Sequence, residues 1–145
     1  MESTESITID RPAGEVWPLV GDVRAWPKWI KGISDVEMGS EAPATGSELE
    51  YKFRGRPARA TVDQYEEGRS IGIGAEEKSW NFAETITLTP QGDQTEVTFA
   101  LSFEPTAAWA SVTSTLLSPF KGPLLSNPMK KELLELKRVV EEGAQ

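Results

Sequence analysis

The 145-residue sequence contains neither cysteine nor histidine. The absence of cysteine excludes disulfides, thiolate nucleophiles and zinc ribbons. The absence of histidine excludes Ser-His-Asp triads and any acid–base step through an imidazole ring. Any chemistry must therefore use carboxylates, hydroxyls, lysine, arginine, tyrosine or a bound cofactor, and we expect neither a cofactor nor a metal site.

Long apolar runs and an excess of basic residues are missing as well. No stretch of about 18 consecutive apolar residues could span a bilayer, and the polar start from Met1 to Asp10 is unlike a signal peptide. Lys and Arg number 15 against 23 Asp and Glu, a net charge of −8 that disfavours contact with a phosphate backbone. We therefore expect a cytoplasmic protein without nucleic-acid partners or integral membrane association, and we take a monomer as the default.

The composition that remains is that of an ordinary soluble domain, with 38% hydrophobic and 26% charged residues. A chain of this length predicts one domain, over residues 1–145. Folding would bury about 70% of the surface of the unfolded chain. This is enough for a core that contains a cavity.

The beginning of the chain predicts one strand and two short helices. Alternating apolar residues indicate a strand over Ser6–Asp10. A helical spacing of apolar residues then continues to Gly21, and Asp22 can cap a second helix with Trp26 and Trp29 on one face. A proline inside each segment limits both helices to a turn or two.

From residue 33 to residue 104 the apolar period changes from about 3.6 to 2, which predicts six further strands. Short turns separate successive strands, so we expect an antiparallel meander. The apolar residues of one parity form the inner face of this sheet: Leu49, Tyr51, Phe53, Val62, Ile71, Ile73, Trp80, Phe82, Ile86, Leu88, Val97, Phe99, Leu101 and Phe103.

The end of the chain predicts a long helix over residues 127–142, with Asn127 as its cap, Pro128 at its first position and Gly143 at its end. Its apolar stripe consists of Met129, Leu133, Leu136 and Val140. One such stripe is too narrow to cover the inner face of the sheet tightly. The residues themselves therefore predict a space between sheet and helix.

Two segments carry a resemblance to a known family. Ile7–Trp17 looks like a strand that runs into a Pro-Ala-x-x-Val-Trp helix, and Asp22–Ile30 looks like an Asp/Asn-x-x-x-Trp-Pro-x-Trp segment. Together with the order of elements, they resemble the START/Bet v 1-like (SRPBCC) superfamily, and specifically its polyketide cyclase/dehydrase-like branch, over residues 5–142. The resemblance implies an α+β helix-grip fold. In that fold a curved, seven-stranded antiparallel sheet wraps around the C-terminal helix and leaves a hydrophobic cavity.

Two polar residues of the inner face are candidate catalytic groups. Glu84 lies between Phe82 and Ile86 with inward parity, where a carboxylate needs a basic partner or stays protonated. It could orient a ligand or act as a general acid or base, or it could belong to a structural ion pair or a bulge. Tyr51 also points inward, where its hydroxyl could donate to a ligand or simply find a partner in the core.

The candidate ligand-binding residues come from the inner face, the second short helix and the C-terminal helix. They are Trp26, Tyr51, Phe53, Val62, Ile73, Trp80, Phe82, Glu84, Phe99, Leu101, Met129 and Leu133. Trp26 and Trp29 could line the mouth of the cavity, or they could only pack the short helices on the sheet. Residues 106–125 could form a mobile lid or a packed helix and loop.

Three functions from different classes remain open. The first is binding of a small hydrophobic or amphipathic molecule, lipid-like or aromatic polyketide-like, in the cavity. The second is a cyclase or dehydratase that uses Glu84 and Tyr51 for proton transfer. The third is a protein-interaction role with a filled core, in which Trp109 and residues 116–125 form the docking surface. We rank them in that order.

Overall fold

The computed structural model describes residues 2–39, 43–76, 80–105 and 121–143. The elements in chain order are β1 (Glu2–Ile9), α1 (Ala13–Val20), the 3₁₀ helix η1 (Val23–Lys28), β2 (Ile33–Met38), β3 (Glu48–Phe53), β4 (Arg56–Glu66), β5 (Ser70–Glu76), β6 (Trp80–Gln91), β7 (Gln94–Pro105) and α2 (Lys121–Gly143). This order confirms the predicted α+β class, with two short helices between the first two strands and a long helix after the last strand.

The seven strands form one antiparallel sheet in the order β1-β7-β6-β5-β4-β3-β2. Strands β2 to β7 are the predicted meander, and β1 adds to its end by pairing with β7. The register shifts between Ser34 and Glu37 and between Val62 and Gln64. Such irregularities bend a strand and increase its twist, which helps the sheet to curve around α2.

The first strand is longer than the predicted Ser6–Asp10. β1 begins at Glu2 and pairs from Glu2 with Ser102 to Ile9 with Thr95. Pairing at the edge of a sheet depends on backbone N–H and C=O groups, so it continues through polar residues that show no apolar alternation. The prediction from side-chain pattern therefore missed its first half.

The predicted start of the last helix is also wrong. α2 begins at Lys121, and Pro128 lies inside it instead of at its first position. Proline removes one backbone donor and crowds the preceding turn, but its fixed φ is helical, so a helix can continue on both sides of it. Asn127 is consequently a residue within the helix and not its cap.

The segment between β1 and β2 is fixed by backbone and indole hydrogen bonds. Asp22 caps η1 as predicted, because its Oδ1 accepts a hydrogen bond from the backbone N–H of Arg24 at 3.0 Å. Trp26 Nε1 donates to the carbonyl oxygen of Val20 at 2.8 Å, and Trp29 Nε1 donates to that of Leu19 at the same distance. Both rings are buried, so they lock α1 and η1 together.

The C-terminal half of α2 is anchored to β1. Lys137 Nζ donates to the carbonyl oxygen of Thr8 at 3.1 Å, and the backbone N–H of Asp10 donates to Glu141 Oε2 at 2.9 Å. The apolar stripe of this half is fully buried in the core with residues of the sheet: Leu133, Leu136 and Val140. The C-terminal half of α2 therefore packs tightly on the sheet. The turn before it, around Pro128 to Glu132, borders a more open space.

Among the helices of the described residues, none is both long enough and apolar enough to cross a membrane.

Candidate ligand-binding site

A cavity of about 460 Å³ lies between the concave face of the sheet, η1 and the middle of α2. Its sheet wall is formed by side chains of β3 to β7, and its helix wall by Pro128, Met129 and Glu132. The third wall runs from η1 into β2 and includes Val23, Trp26, Ile30 and Ile33. The described lining is predominantly apolar, as in most small-molecule sites.

Aromatic side chains form much of the wall. The indole of Trp26 meets that of Trp29 edge to face, with ring centroids 6.2 Å apart, and Trp29 meets Phe99 in the same way at 6.3 Å. Trp26 and Phe99 border the cavity directly, whereas Trp29 lies behind them in the core. Phe82 and Phe103, with centroids 5.3 Å apart, cover the region of β6 and β7. Packed rings of this kind make a rigid wall that keeps its shape without a ligand.

Glu84 is the polar group on the sheet side of this wall. It occupies the middle of β6, opposite Ile73 of β5 and Leu101 of β7, and only 7% of its surface is exposed. Within the described part of the chain its side chain forms no ion pair or hydrogen bond, yet no fully enclosed side-chain oxygen there lacks a partner. Its carboxyl oxygens therefore reach the open space of the cavity.

Glu132 is the polar group on the helix side. It lies one residue before the buried Leu133 and three residues after Met129, which turns it toward the cavity. Burial raises the pKa of the Glu132 carboxyl to about 7, because an apolar wall solvates a charge poorly. Burial, and next the negative charge of Glu132, raise the pKa of Glu84 to about 8.

Two basic side chains stand at the rim. Lys31 follows η1, and Arg54 begins the turn after β3, with its guanidinium 5.4 Å from the centre of the Phe53 ring. Phe53 is 44% exposed, so the rim on this side is open to solvent. The cavity is thus apolar along its walls, acidic at Glu84 and Glu132, and basic at its mouth.

The predicted site residues fall into three groups. Most of them border the cavity: Trp26, Tyr51, Phe53, Ile73, Phe82, Glu84, Phe99, Leu101 and Met129. Val62 and Leu133 lie instead in the fully buried core. Trp80 is described only as a backbone position of β6, so the placement of its side chain stays a prediction.

Tyr51, the second candidate catalytic residue, is half-buried on β3 and borders the cavity. Tyr51 also takes part in an interaction within the protein. The predicted lid at residues 106–125 lies largely outside the described residues, as do Trp109 and most of the docking surface proposed with it.

Sequence reasoning missed Glu132, Lys31 and Arg54. A signal for Glu132 was available, because it follows Met129 by three residues and so shares a helix face with the apolar stripe. The two basic residues follow the ends of regular elements, where neither strand nor helix periodicity indicates a direction. Among the described residues, no three acidic side chains converge as ligands for a metal ion.

Two wider depressions, of about 630 and 540 Å³, lie on the other face of the sheet. Exposed residues such as Glu48, Thr61 and Asp63 line the first of them, and Glu50 and Arg59 border both and pair at 3.2 Å. A charged, open surface of this kind lacks the apolar walls that hold a small molecule. The cavity on the concave side is therefore the candidate site.

A family described as polyketide cyclase / dehydrase and lipid transport matches residues 1–141, and the chain belongs to this family. The predicted membership of the polyketide cyclase/dehydrase-like branch is thereby confirmed. Comparison with curated proteins found no match.

Solved structures with the same fold include a protein from Thermus thermophilus, with 17% sequence identity, full coverage of both chains and a TM-score of 0.74. A protein from Nitrosospira multiformis has 16% identity, 99% coverage of both chains and a TM-score of 0.73. Norcoclaurine synthase from Thalictrum flavum, in complex with dopamine and hydroxybenzaldehyde, has 11% identity and a TM-score of 0.69, over 98% of this chain and 87% of that chain. At these identities the likeness shows the fold alone.

Proposed function

We propose that the protein binds a small hydrophobic or amphipathic molecule, lipid-like or aromatic polyketide-like, in the cavity between the sheet and α2. The observation that carries this proposal is the space of about 460 Å³ with apolar and aromatic walls. It falls in the range of about 300–1,000 Å³ that is typical of small-molecule sites. Leaving so much apolar surface unfilled forfeits dispersion contacts, which a ligand would restore.

The family and the fold support this reading. The family description names both polyketide chemistry and lipid transport, and each involves a largely apolar small molecule. The structurally similar norcoclaurine synthase was solved in complex with two small aromatic molecules, dopamine and hydroxybenzaldehyde. Location in the cytoplasm, a monomeric state and the absence of nucleic-acid partners stay predictions from the sequence.

Native mass spectrometry of the freshly purified protein tests the proposal directly. We expect a fraction of the protein to carry a small molecule that is released on denaturation and can be extracted with an organic solvent. A cavity of this size should also bind the neutral dye Nile red with a blue-shifted emission at neutral pH. If neither a native ligand nor the dye binds to the folded protein, the proposal is wrong.

A matched pair of substitutions locates the dye. Leu101→Trp adds a bulky ring at a residue that borders the cavity, so we expect Nile red affinity to fall at least about tenfold. Leu134→Trp makes the same change at a helix position that is 59% exposed, where affinity should stay within about twofold. Equal loss in both variants would show that the dye binds elsewhere.

A second candidate function is catalysis of a cyclisation or dehydration. It is favoured by one observation, namely that the pKa values of Glu84 and Glu132, about 8 and about 7, lie near physiological pH. Groups with such pKa values serve well as general acid and base. Turnover of an aromatic poly-β-ketone that is lost in Glu84→Gln, while Nile red binding persists, would establish an enzyme. Loss in Tyr51→Phe would add the tyrosine to the mechanism.

A further inference from the structure

The two carboxyl groups of the cavity face the same space from different elements. Glu84 projects from the middle of β6, and Glu132 projects from α2 across the cavity. Glu84 is more than nine-tenths buried, and its oxygens still reach the cavity because none of them is both fully enclosed and without a partner. When these two carboxyl groups are ionised, they are hydrogen-bond acceptors in an apolar space. Burying such acceptors without donors is unfavourable, so the pair lacks a donor group.

Among the described residues, no basic side chain pairs with either glutamate. The other titratable or charged groups that border the cavity are Lys31, Tyr51 and Arg54, and none of them forms an ion pair with either glutamate. Arg54 lies over the ring of Phe53 at the rim, and Lys31 is exposed there. The two basic side chains of the cavity lining therefore lie at its mouth, and the two glutamates lie deeper.

We infer that the ligand carries a protonated amine on an apolar body, and that its ammonium group binds between Glu84 and Glu132. This inference rests on the proposed function and specifies the chemical class of the ligand. An ammonium group brings three donors and one positive charge, which two carboxylates can share. The apolar body would lie against the aromatic wall at Trp26 and Phe99.

The alternatives fit the acidic pair less well. A neutral ligand would displace water from the carboxyl groups and leave any ionised one poorly solvated. An anionic ligand would be repelled from the inner wall, and it could bind only with its charged end at Lys31 and Arg54. Once either carboxyl is ionised, only an amine brings the opposite charge to the inner wall.

Binding of an amine should be linked to pH. Below about pH 7 both glutamates hold their protons, so an ammonium must displace at least one proton before a carboxylate can accept its hydrogen bonds. Affinity for the amine should therefore rise with pH until the pair is ionised. A simple alkyl amine stays charged up to about pH 10, as lysine does, so the ligand itself does not limit this rise.

Three probes with one skeleton test the inference: phenylbutylamine, phenylbutanol and phenylbutanoate. We expect titration calorimetry at about pH 9 to show the amine binding at least about tenfold more tightly than the alcohol. At about pH 6 this preference should shrink, and amine binding should release protons, measured in buffers of different ionisation enthalpy.

Conservative variants provide the controls. Glu84→Gln and Glu132→Gln should each remove most of the preference for the amine over the alcohol. Glu135→Gln is the matched control, because that carboxylate pairs with Arg138 on the outside of α2 and should leave the preference intact.

The possible outcomes distinguish a failure of the amine assignment from a failure of the proposed ligand binding. If the alcohol binds as tightly as the amine at about pH 9, or if the glutamine variants keep the preference, the amine assignment is wrong while cavity binding stands. If phenylbutanoate binds best, the rim cations determine the ligand class and the assignment is again overturned. If none of the probes binds and Nile red does not bind either, the proposed function itself fails.

Discussion

Replacing Leu133 by alanine should lower the free energy of unfolding by about 2–5 kcal/mol. Leu133 is only 1% exposed and packs in the core with residues of the sheet and with Leu136 of the next helical turn. The shorter side chain loses apolar burial and leaves a void that the anchored helix cannot close by shifting. Urea denaturation followed by circular dichroism measures the change, with the midpoint falling at an unchanged slope.

The neighbouring leucine provides the control. Leu134 is 59% exposed, so Leu134→Ala should change the free energy of unfolding by no more than about 0.5 kcal/mol. Both variants lose the same atoms from the same helix, and only burial differs between them. A neutral Leu133→Ala would mean that the sheet does not grip this helix.

The fold could be predicted from the sequence in those segments where burial of one face requires apolar residues at a regular spacing. Val97, Phe99 and Leu101 alternate with residues of the other face because one side of β7 packs into the core. Leu133, Leu136 and Val140 repeat at helical spacing for the same reason. Each periodic segment therefore predicts one type of element. The short turns between the strands restrict the topology to neighbouring antiparallel pairs.

Element ends were harder to predict, because backbone hydrogen bonds decide them. Glu2 to Glu5 belong to β1 through pairing with β7, although their side chains show no apolar pattern. Pro128 is accommodated within α2, whereas its usual position is at the start of a helix. For β1, long-range strand pairing overrides the local preference.

The site could be predicted only in part for a related reason. Parity placed Glu84 and Tyr51 on the concave face, and both border the cavity. Whether a concave residue meets space or another side chain depends on how the elements pack over the sheet, and Val62 lies in the core instead of at the cavity. The pairing of Glu84 with Glu132 depends on the same packing, which sequence periodicity does not encode.

Glu84→Gln should stabilise the protein in alkaline solution. The ordinary pKa of this carboxyl is 4.5, and in the folded protein it is raised to about 8 by burial and by the charge of Glu132. Below about pH 4.5 both states hold the proton, so the glutamate carries no penalty. Between about pH 4.5 and pH 8 the unfolded chain loses its proton and the folded protein keeps it, so the free energy of unfolding falls as pH rises.

Glutamine removes this dependence because its amide has nearly the same shape and does not ionise. We expect the variant to match the wild type at about pH 4.5 and to exceed it by about 2–5 kcal/mol at about pH 9, because a tenfold difference in proton affinity between the folded and unfolded states corresponds to about 1.4 kcal/mol. Denaturant titrations across this range measure the difference. Glu132→Gln should act with the same sign over a narrower range, since the pKa of that carboxyl is raised only to about 7.

Glu104→Gln, at an exposed position of the neighbouring strand β7, provides the control for the loss of one negative charge and should show no comparable gain at about pH 9. The opposite result for Glu84→Gln would be equally informative. If the substitution lowered the free energy of unfolding by about 3–5 kcal/mol at neutral pH, Glu84 would have to be ionised against a basic partner that is left uncompensated. Glu84 would then be a structural residue, and both the ammonium site and the proton-transfer role would lose their central group.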